Sequence, residues 1–394
     1  MNKIIRLQLL SFTVLIQFSI VNMNARDLIP NNQNSKCSII LEEFVFEKSP
    51  TRDCHASSIL ELKNGDLLCS WFGGTRESAS DVKIWLSRKP KGGKWSNPEV
   101  VVDLHGKTVY NPVLVQLKSG DIQIYYLGGD IDNGQYITST DNGYTWSLPQ
   151  QRPQGFVGPV VNKPVYLPDG TILAGASLQG GPGKRIHIER SVDDGKTWTK
   201  SVDLSDPKSK FQLIQPTILV HSPKKLQLLA RPNGKGMDTK IAQTWSYDGG
   251  YTWTPITETS LPNNNSGIDA VTLKDGSFLL VYNHSTREDS IGGRKGRGIL
   301  TVAVSKNGID WDAAAVLEYR TGNVQYSYPA VIQTEDGLVH ITYSWHRKRI
   351  KHVVLDPHKF VTYPIKNGIW PKKELPWVKS TEDVNVKGDS EALY

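Results

Sequence analysis

The chain has 394 residues, of which 38% are hydrophobic and 22% charged, and it contains 34 Gly, 22 Pro and 11 Trp but only 3 Met. Its aromatic residues supply enough apolar area for a core, which excludes a mostly disordered chain, and the composition excludes collagen-like and coiled-coil classes. The 46 Lys and Arg exceed the 39 Asp and Glu by seven, a charge too small and dispersed for a protein that binds nucleic acid. Abundant Gly, Pro and Trp favour many short strands joined by tight turns.

Residues 1–25 are predicted to form a secretory signal peptide. Lys3 and Arg6 precede an uncharged, mostly apolar run at residues 9–20, which is short for a membrane span. We therefore expect an exported protein, periplasmic or secreted, without an integral membrane span.

Three cysteines, Cys37, Cys54 and Cys69, follow this segment. Because their number is odd, at most one disulfide can form within the chain, and their spacing is not that of metal ligands. We expect small buried residues at these positions, no metal site and no other cofactor.

One eight-residue phrase, Ser-x-Asp-x-Gly-x-Thr-Trp, recurs at a nearly constant period. Complete copies begin at Ser139, Ser191 and Ser246, and degenerate copies at Ser87 and Ser305, so that successive copies start 52, 52, 55 and 59 residues apart. Asp accepts hydrogen bonds from a turn backbone, Gly supplies a positive φ angle and Trp packs on neighbouring strands. The phrase therefore predicts a β-hairpin turn that is repeated along the chain.

A second repeat, two apolar strands around a polar turn that contains Gly, alternates with the first. It occurs at residues 62–68, 117–122, 167–173, 273–279 and 334–339, and residues 222–228 fill the sixth place without Gly. Six such hairpins, each followed by another strand pair, predict an all-β fold, a six-bladed β-propeller of four-stranded blades. The propeller is expected to span residues 38–370 and to close by pairing residues 38–46 with residues 352–355. Residues 379–394 are polar and are expected to form a loose tail.

Polar residues are predicted at one mouth of the central channel. The start of each inner strand and the end of its hairpin partner converge at that mouth. The residues before the six inner strands are His55, Asn111, Lys163, Gln215, Asp269 and Tyr328. The residues at the ends of the second strands include Arg76, Arg231, Asn283 and His284. Guanidinium groups bind carboxylates through paired hydrogen bonds and aromatic faces stack on sugar rings, so this cluster predicts an acidic sugar as the ligand.

Several of these residues have an ordinary structural alternative. Arg76 could pair with Glu77 or Asp81 in a surface loop, His284 could be a capped loop histidine and Tyr328 a packing aromatic residue. By contrast, the Asp, Gly and Trp of the eight-residue phrase fall at the opposite hairpins and are expected to be structural.

The repeated phrase on a six-bladed pattern resembles the sialidase superfamily with its BNR or Asp-box repeats, over about residues 38–357. Two segments are similar to one sialidase-like branch, Trp-Phe-Gly-Gly-Thr-Arg-Glu at residues 71–77 and Tyr-Ser-Tyr-Pro-Ala at residues 326–330. The resemblance implies a six-bladed propeller that binds an acidic carbohydrate.

The resemblance also implies roles for individual residues. Arg231 and Arg297 match two of the three arginines that hold the substrate carboxylate in sialidases. Tyr326 matches the tyrosine nucleophile, and Asp81 could occupy the acid/base loop.

The chain departs from the sialidase pattern at two positions. His55 stands where the first arginine is expected, and Gln215 stands where a glutamate should assist the nucleophile. An amide cannot take a proton from a phenol, and a Tyr with a pKa near 10 needs such a base to react at neutral pH. The sequence therefore favours another reaction on an acidic sugar.

That reaction is β-elimination from a uronate at the terminus of an oligosaccharide. Cations neutralise the carboxylate, a His or Tyr removes the C5 proton and a second group protonates the oxygen that leaves C4. His55, His284, Tyr326 and Tyr328 are the candidates for proton transfer, and Arg231 with Arg297 or Lys163 for charge neutralisation. A departing sugar makes the protein a lyase, as in degradation of ulvan-type polysaccharides, and a departing hydroxyl makes it a dehydratase.

Two alternatives belong to other functional classes. One is an exo-α-sialidase-type hydrolase with a rearranged site, and the other is a propeller that binds carbohydrate without catalysis. The identity of the product distinguishes the three.

Overall fold

The computed structural model describes residues 38–130, 132–180, 183–205, 212–233, 240–286, 294–320 and 322–371. The predicted signal peptide, Cys37 and the predicted tail lie outside the described residues. Within these ranges the chain forms six antiparallel sheets in which the inner strands of neighbouring sheets contact one another around a ring. The all-β, six-bladed propeller is thereby confirmed.

Each blade is an antiparallel sheet whose strands follow one another from the channel outward. Blades 1 to 3 comprise β2 (Asp53–Glu61), β3 (Leu67–Gly74), β4 (Lys83–Lys89) and β5 (Glu99–Val102); β6 (Val109–Gln116), β7 (Ile122–Gly128), β8 (Gly134–Ser139) and β9 (Gln150–Gln151); and β10 (Val165–Tyr166), β11 (Ile172–Leu178), β12 (Arg185–Ser191) and β13 (Thr199–Lys200). Blades 4 to 6 comprise β14 (Leu213–Val220), β15 (Leu226–Pro232), β16 (Lys240–Ser246) and β17 (Thr257–Pro262); β18 (Asp269–Thr272), β19 (Phe278–Tyr282), β20 (Ile299–Ser305), β21 (Asp312–Tyr319) and β25 (Tyr363–Pro364); and β22 (Tyr326–Gln333), β23 (Val339–Trp345), β24 (Arg349–Leu355) and β1 (Ile39–Phe44).

The core lies between the faces of adjacent blades. The second strands β3, β7, β11 and β15 are buried at every position, because other blades cover both of their faces. The outermost strands β9 and β13 are exposed at both positions. Cys54 and Cys69 are buried free thiols. In the described residues, no helix has the length and apolar character that a membrane crossing needs, and no group of three or more His, Cys, Asp or Glu side chains could hold a metal ion.

The eight-residue phrases form the turns between the third and fourth strands of their blades. In the copy after β8, Ser139 Oγ donates to Asp141 Oδ1 at 2.7 Å, and Asp141 Oδ1 accepts from the backbone N–H of Thr145 at 2.9 Å. Gly143 adopts a φ of 83°. The other two complete copies repeat these bonds. The carboxylates are therefore used within their own turns.

The ring closes where β1 pairs with β24. The register runs from Ile39 opposite Leu355 to Phe44 opposite Lys351, which is the pairing expected from the sequence. The N-terminal strand thus completes the last blade.

Glu43 on β1 joins blade 6 to blade 1. Its Oε1 lies 2.9 Å from His352 Nδ1 in blade 6 and accepts from Trp95 Nε1 in blade 1 at 3.0 Å. Lys89 Nζ is also 3.0 Å from this oxygen. Burial raises the pKa of Glu43, but the hydrogen bonds from His352 and Lys89 outweigh it and lower the pKa to about 2.

Replacing Glu43 by Gln is expected to lower the free energy of unfolding by about 1–3 kcal/mol, because Lys89, His352 and Trp95 lose their common charged acceptor. Urea unfolding at neutral pH measures the change. Glu47→Gln is the matched control, since Glu47 is exposed and its ion pair with Arg349 is long, at 3.5 Å. This variant should change the free energy of unfolding by less than about 0.5 kcal/mol. Equal stabilities of the two variants would contradict this role of Glu43.

A second histidine extends the same junction and predicts acid sensitivity. His340 Nδ1 lies 3.0 Å from His352 Nε2, and burial together with the charge of His352 lowers the pKa of His340 to about 4. Between pH 6.5 and about 4 the unfolded chain binds a proton at His340 that the folded chain does not. The free energy of unfolding therefore decreases as the pH is lowered through this window, by up to about 3 kcal/mol. Unfolding free energies measured against pH should show a shallower decline in His340→Asn. A decline of unchanged slope in that variant would rule out His340 as the cause.

Candidate functional site

A β-bulge opens the inner strand of four blades and points side chains into the channel mouth. The pairing register shifts at the starts of β2, β6, β14 and β22. In each bulge the first residue has a positive φ, between 50° and 55°. These residues are Ala56, Asn111, Gln215 and Tyr328. Bulges redirect side chains away from the regular alternation of a strand, which is why they occur beside functional sites.

The structure corrects the predicted register of blade 1. The sequence alignment placed His55 level with Tyr328, whereas the pairing places Ala56 there and His55 one residue earlier. The second bulge residue is Pro in the other three blades but Ser57 in blade 1. Without that Pro, the sequence offered no marker for the position.

Tyr328 is the residue on which the charged groups at the mouth converge. Its hydroxyl accepts a hydrogen bond from Arg231 Nη2 at 2.8 Å, and the Cζ atoms of Arg231 and Arg297 lie 5.1 Å and 5.9 Å from the centre of its ring. The residue is 9% exposed and has a φ of 55°. A positive φ is costly for a bulky side chain and is found where the surroundings enforce it, often at functional sites.

Arg231 and Arg297 share one neutral acceptor. Nη1 of Arg231 and Nη2 of Arg297 both donate to the backbone carbonyl of Asn265, at 3.1 Å and 3.2 Å. The Nε atoms of both side chains are buried without a partner, and among the described residues no carboxylate pairs with either guanidinium. Burial lowers the pKa of Arg297 to about 10, and the charge of Arg231 acts in the same direction. The charges of Tyr328 and Glu77 raise the pKa of Arg297, but neither guanidinium has an ion-paired carboxylate among the described residues, which favours an anionic ligand.

A third arginine, Arg347, borders the same space. Its Nε donates to both carboxylate oxygens of Asp53, at 2.8 Å and 3.1 Å, and its Nη2 lies 3.0 Å from Glu77 Oε2. Its charge lowers the pKa of Arg297, and the charge of Tyr328 contributes to raising the pKa of Arg347. Sequence reasoning missed Arg347 because the end of the second strand was placed one residue earlier, at His346.

His55 lies beside Tyr328, with 4.3 Å between the ring centres. Its Nδ1 is 2.8 Å from the Oγ atom of Ser344, which also accepts the backbone N–H of Ala56 at 3.0 Å. Burial lowers the pKa of His55 well below its usual 6.5, and the charge of Arg347 lowers it further. The imidazole is therefore neutral at neutral pH.

Tyr328 ionises more readily than an ordinary Tyr. Burial raises its pKa, but the charges of Arg231 and Arg297 outweigh burial, and hydrogen bonding by the Gln215 side chain acts with them. The net pKa is below the usual 10. The phenol is thus activated by cations, although Gln215 occupies the position where the resemblance implies a glutamate.

Lys163 and Asp269 pair with each other. Lys163 Nζ lies 2.9 Å from Asp269 Oδ2, and it also donates to the Ala270 carbonyl at 2.9 Å. Asp269 accepts further hydrogen bonds from Thr217 in blade 4 and Val331 in blade 6, at 3.0 Å and 2.8 Å. Asp269 is 1% exposed, so its carboxylate links blades beneath the mouth.

The backbone N–H of Tyr326 donates to the Arg297 carbonyl at 2.7 Å, but its phenol ring packs against other residues. It is 0% exposed and packs against Trp345 and His346, with ring centres 6.4 Å and 4.9 Å away. Burial raises its pKa. Of the two phenols considered from the sequence, Tyr328 is therefore the one in contact with the cations.

His284 and Asn283 occupy the neighbouring interior of blade 5. His284 Nδ1 lies 2.5 Å from the hydroxyl of Tyr282, and its ring lies 5.0 Å from that of Trp370. Burial lowers the pKa of His284 to about 4. Asn283 Nδ2 donates to the carbonyls of Ile299 and Tyr326, at 2.6 Å and 2.8 Å.

The loop after β3 carries Arg76 and Asp81, both exposed. Asp81 Oδ2 accepts from the backbone N–H of Thr75 at 2.9 Å and from the Thr75 hydroxyl. These bonds, the hydroxyl one first, lower the pKa of Asp81. Asp81 therefore closes its own loop in this structure.

A family model described as a BNR repeat-like domain matches residues 65–341, more than half of the chain. The chain belongs to this family. No curated protein matches it. The BNR propeller fold accounts for both the turn repeats and the ring of six blades.

Solved structures with a similar fold include enzymes that act on carbohydrates. A protein of unknown function from Dyadobacter fermentans is 18% identical over 81% of this chain and 98% of its own, with a TM-score of 0.66. The NanB sialidase from Streptococcus pneumoniae is 13% identical over 86% of this chain and 73% of its own, with a TM-score of 0.64. The intramolecular trans-sialidase from Ruminococcus gnavus, in complex with oseltamivir carboxylate, is 14% identical over 83% and 99%, with a TM-score of 0.63. At such identities the likeness establishes the fold alone.

The α-L-arabinanase from Penicillium chrysogenum has the same fold as well. It is 16% identical over 82% of this chain and 100% of its own, with a TM-score of 0.58. Structural neighbours of this BNR propeller therefore include enzymes named for different sugars, and the site itself must carry the functional argument.

In the ligand-free BNR propeller, Tyr328 should ionise at lower pH than an ordinary tyrosine, because of the two guanidinium charges beside it. Tyrosinate absorbance measured against pH should contain one early step that Tyr328→Phe removes and Arg231→Met moves to higher pH. Tyr326→Phe should leave that step in place, since burial raises the pKa of Tyr326. An early step that persists in Tyr328→Phe would contradict the assignment.

Proposed function

We propose that the protein is an enzyme that acts on the acidic terminus of an oligosaccharide, with a carboxylate of the sugar bound between Arg231 and Arg297. The observation that carries this proposal is the convergence of both guanidiniums on Tyr328 and Asn265 without a carboxylate partner among the described residues. A planar carboxylate supplies the paired acceptors that two guanidiniums need. The oseltamivir carboxylate bound to a structural neighbour is consistent with an anionic ligand in this fold.

The favoured reaction is β-elimination from a uronate. The arginines neutralise the carboxylate and thereby acidify the proton at C5. Tyr328, as phenolate, removes that proton, the electron pair of the C5–H bond forms the C4–C5 double bond, and the C4–O bond breaks. The departing oxygen takes up a proton at the same mouth, where Tyr328 and neutral His55 are 4.3 Å apart. A departing sugar defines a lyase and a departing hydroxyl a dehydratase.

One observation favours a second candidate, a sialidase-type hydrolase with Tyr328 as the nucleophile. The lowered pKa of Tyr328 supplies the activation that a neighbouring glutamate would otherwise provide. The hydrolase adds water across the bond that it breaks, whereas the eliminating enzyme leaves an unsaturated uronate. The two reactions therefore give products of different mass from one substrate.

The test is incubation with uronate-terminated oligosaccharides and a fluorogenic sialoside, followed by mass spectrometry and ultraviolet absorbance. Elimination predicts an absorbing unsaturated product, and hydrolysis predicts release of the free acid without absorbance. Tyr328→Phe should reduce turnover about 100-fold or more, the scale of a lost proton-transfer group. Tyr326→Phe, the competing phenol, should retain most of the turnover.

Three results would overturn parts of this proposal. Loss of turnover in Tyr326→Phe but not in Tyr328→Phe would assign the reacting phenol to Tyr326. Release of free sialic acid alone would replace elimination by hydrolysis. Binding without any change in mass across the panel would make the protein a carbohydrate-binding propeller.

A further inference from the structure

Two carboxylates stand on the loop between β3 and β4, and they have different surroundings. Asp81 is turned into its own loop by the backbone and hydroxyl of Thr75. Glu77 extends to the channel mouth, where its Oε2 lies 3.0 Å from Arg347 Nη2, while 47% of its side chain remains exposed. Glu77 is therefore the loop carboxylate that a ligand in the mouth can reach.

We propose that Glu77 determines specificity by limiting the ligand to one anionic group: it accepts hydrogen bonds from neutral sugar hydroxyls beside the bound carboxylate and repels a second anion such as a sulfate ester. This inference rests on the proposed carboxylate site but not on which reaction follows binding. It defines the substrate class as an unsulfated, singly charged uronic acid terminus.

The balance of charge at the mouth supports a single anion. Arg347 already has two carboxylate partners, since Asp53 binds its Nε with both oxygens and Glu77 lies against its Nη2. Of the three arginines Arg231, Arg297 and Arg347, the first two have no carboxylate within ion-pair distance among the described residues, and they share one carbonyl. Two guanidiniums that converge in this way match one carboxylate.

The geometry of the Glu77 contact leaves its oxygens available. Although Glu77 Oε2 is 3.0 Å from Arg347 Nη2, that nitrogen has no aligned hydrogen-bond acceptor, so the contact is an ion pair of poor alignment. The charge of Glu77 also reaches the mouth, because it acts on the pKa values of Arg297 and Tyr328. A carboxylate in this position can accept sugar hydroxyls, and like charges placed opposite it are strongly disfavoured.

The experiment is a calorimetric comparison of methyl glucuronide with the same glycoside carrying one sulfate ester. The full-length protein should bind the unsulfated ligand about tenfold or more tightly, in line with a like-charge penalty in a partly exposed site. Glu77→Gln should reduce that preference to about threefold or less, mainly by improving affinity for the sulfated ligand. The preference should weaken as salt concentration rises, because screening shortens the reach of an exposed charge.

Two further variants make the result specific. Glu47→Gln removes the charge of another exposed, arginine-paired glutamate and should leave the preference as it is in the unmodified protein. Asp81→Asn tests the second carboxylate of the loop and should also preserve the preference. Unchanged unfolding midpoints for Glu77→Gln establish that the variant is folded.

Several outcomes would overturn the inference. Equal or tighter binding of the sulfated ligand by the unmodified protein, or an unchanged preference in Glu77→Gln, would remove Glu77 from this role. Loss of the preference in Asp81→Asn alone would assign the role in specificity to Asp81. Failure of the unmodified protein to bind either glycoside would instead reject the carboxylate site itself, and Arg231→Met binding no worse than the unmodified protein would reject it as well.

Discussion

Closure of the ring by β1 is the constraint on which the other features depend. Once β1 completes the last blade, the six inner strands must surround one axis, and their first residues face each other at one mouth. Polar groups at such positions are partly removed from water and need partners. Asp269 meets this need by linking blade 5 to blades 3, 4 and 6. Arg231 and Arg297 meet it only in part, and this incomplete pairing distinguishes the site from the rest of the channel.

The fold could be predicted from the sequence because its signal is repeated. A turn phrase with an Asp, a Gly and a Trp has a local cause in hydrogen bonding and positive φ. Its five copies give the period of the blades, and the six hairpins that alternate with them give their number. The same logic placed Gln215, Arg231 and Tyr328 near one mouth, because their positions in the blades follow the repeat, whereas His55 lies one residue from the position that the repeat predicts.

Other parts of the site could not be derived in this way. Alternation along a strand tells which residues share a face only while the ladder is regular, and the bulge at β22 breaks it between Ser327 and Ala330. This is why the roles of Tyr326 and Tyr328 could not be separated from the sequence. Arg347 lies in a turn in which His346 and Arg347 have positive φ angles, of 53° and 58°. Neither of the two sequence repeats predicts this turn. Contacts of such turns depend on tertiary structure.

The contrast between blade 5 and the bulged blades separates a residue that holds the ring together from residues that lie outside its hydrogen-bond ladders. Asp269 stands in regular register opposite Val281 and is committed to holding blades together. Tyr328 and Gln215 stand at extra residues outside the ladder, each followed by a Pro that has no N–H to satisfy. Side chains at the bulges can therefore be exchanged without removing a ladder hydrogen bond. Loss of the Asp269 carboxylate, by contrast, removes hydrogen bonds that join blade 5 to blades 4 and 6.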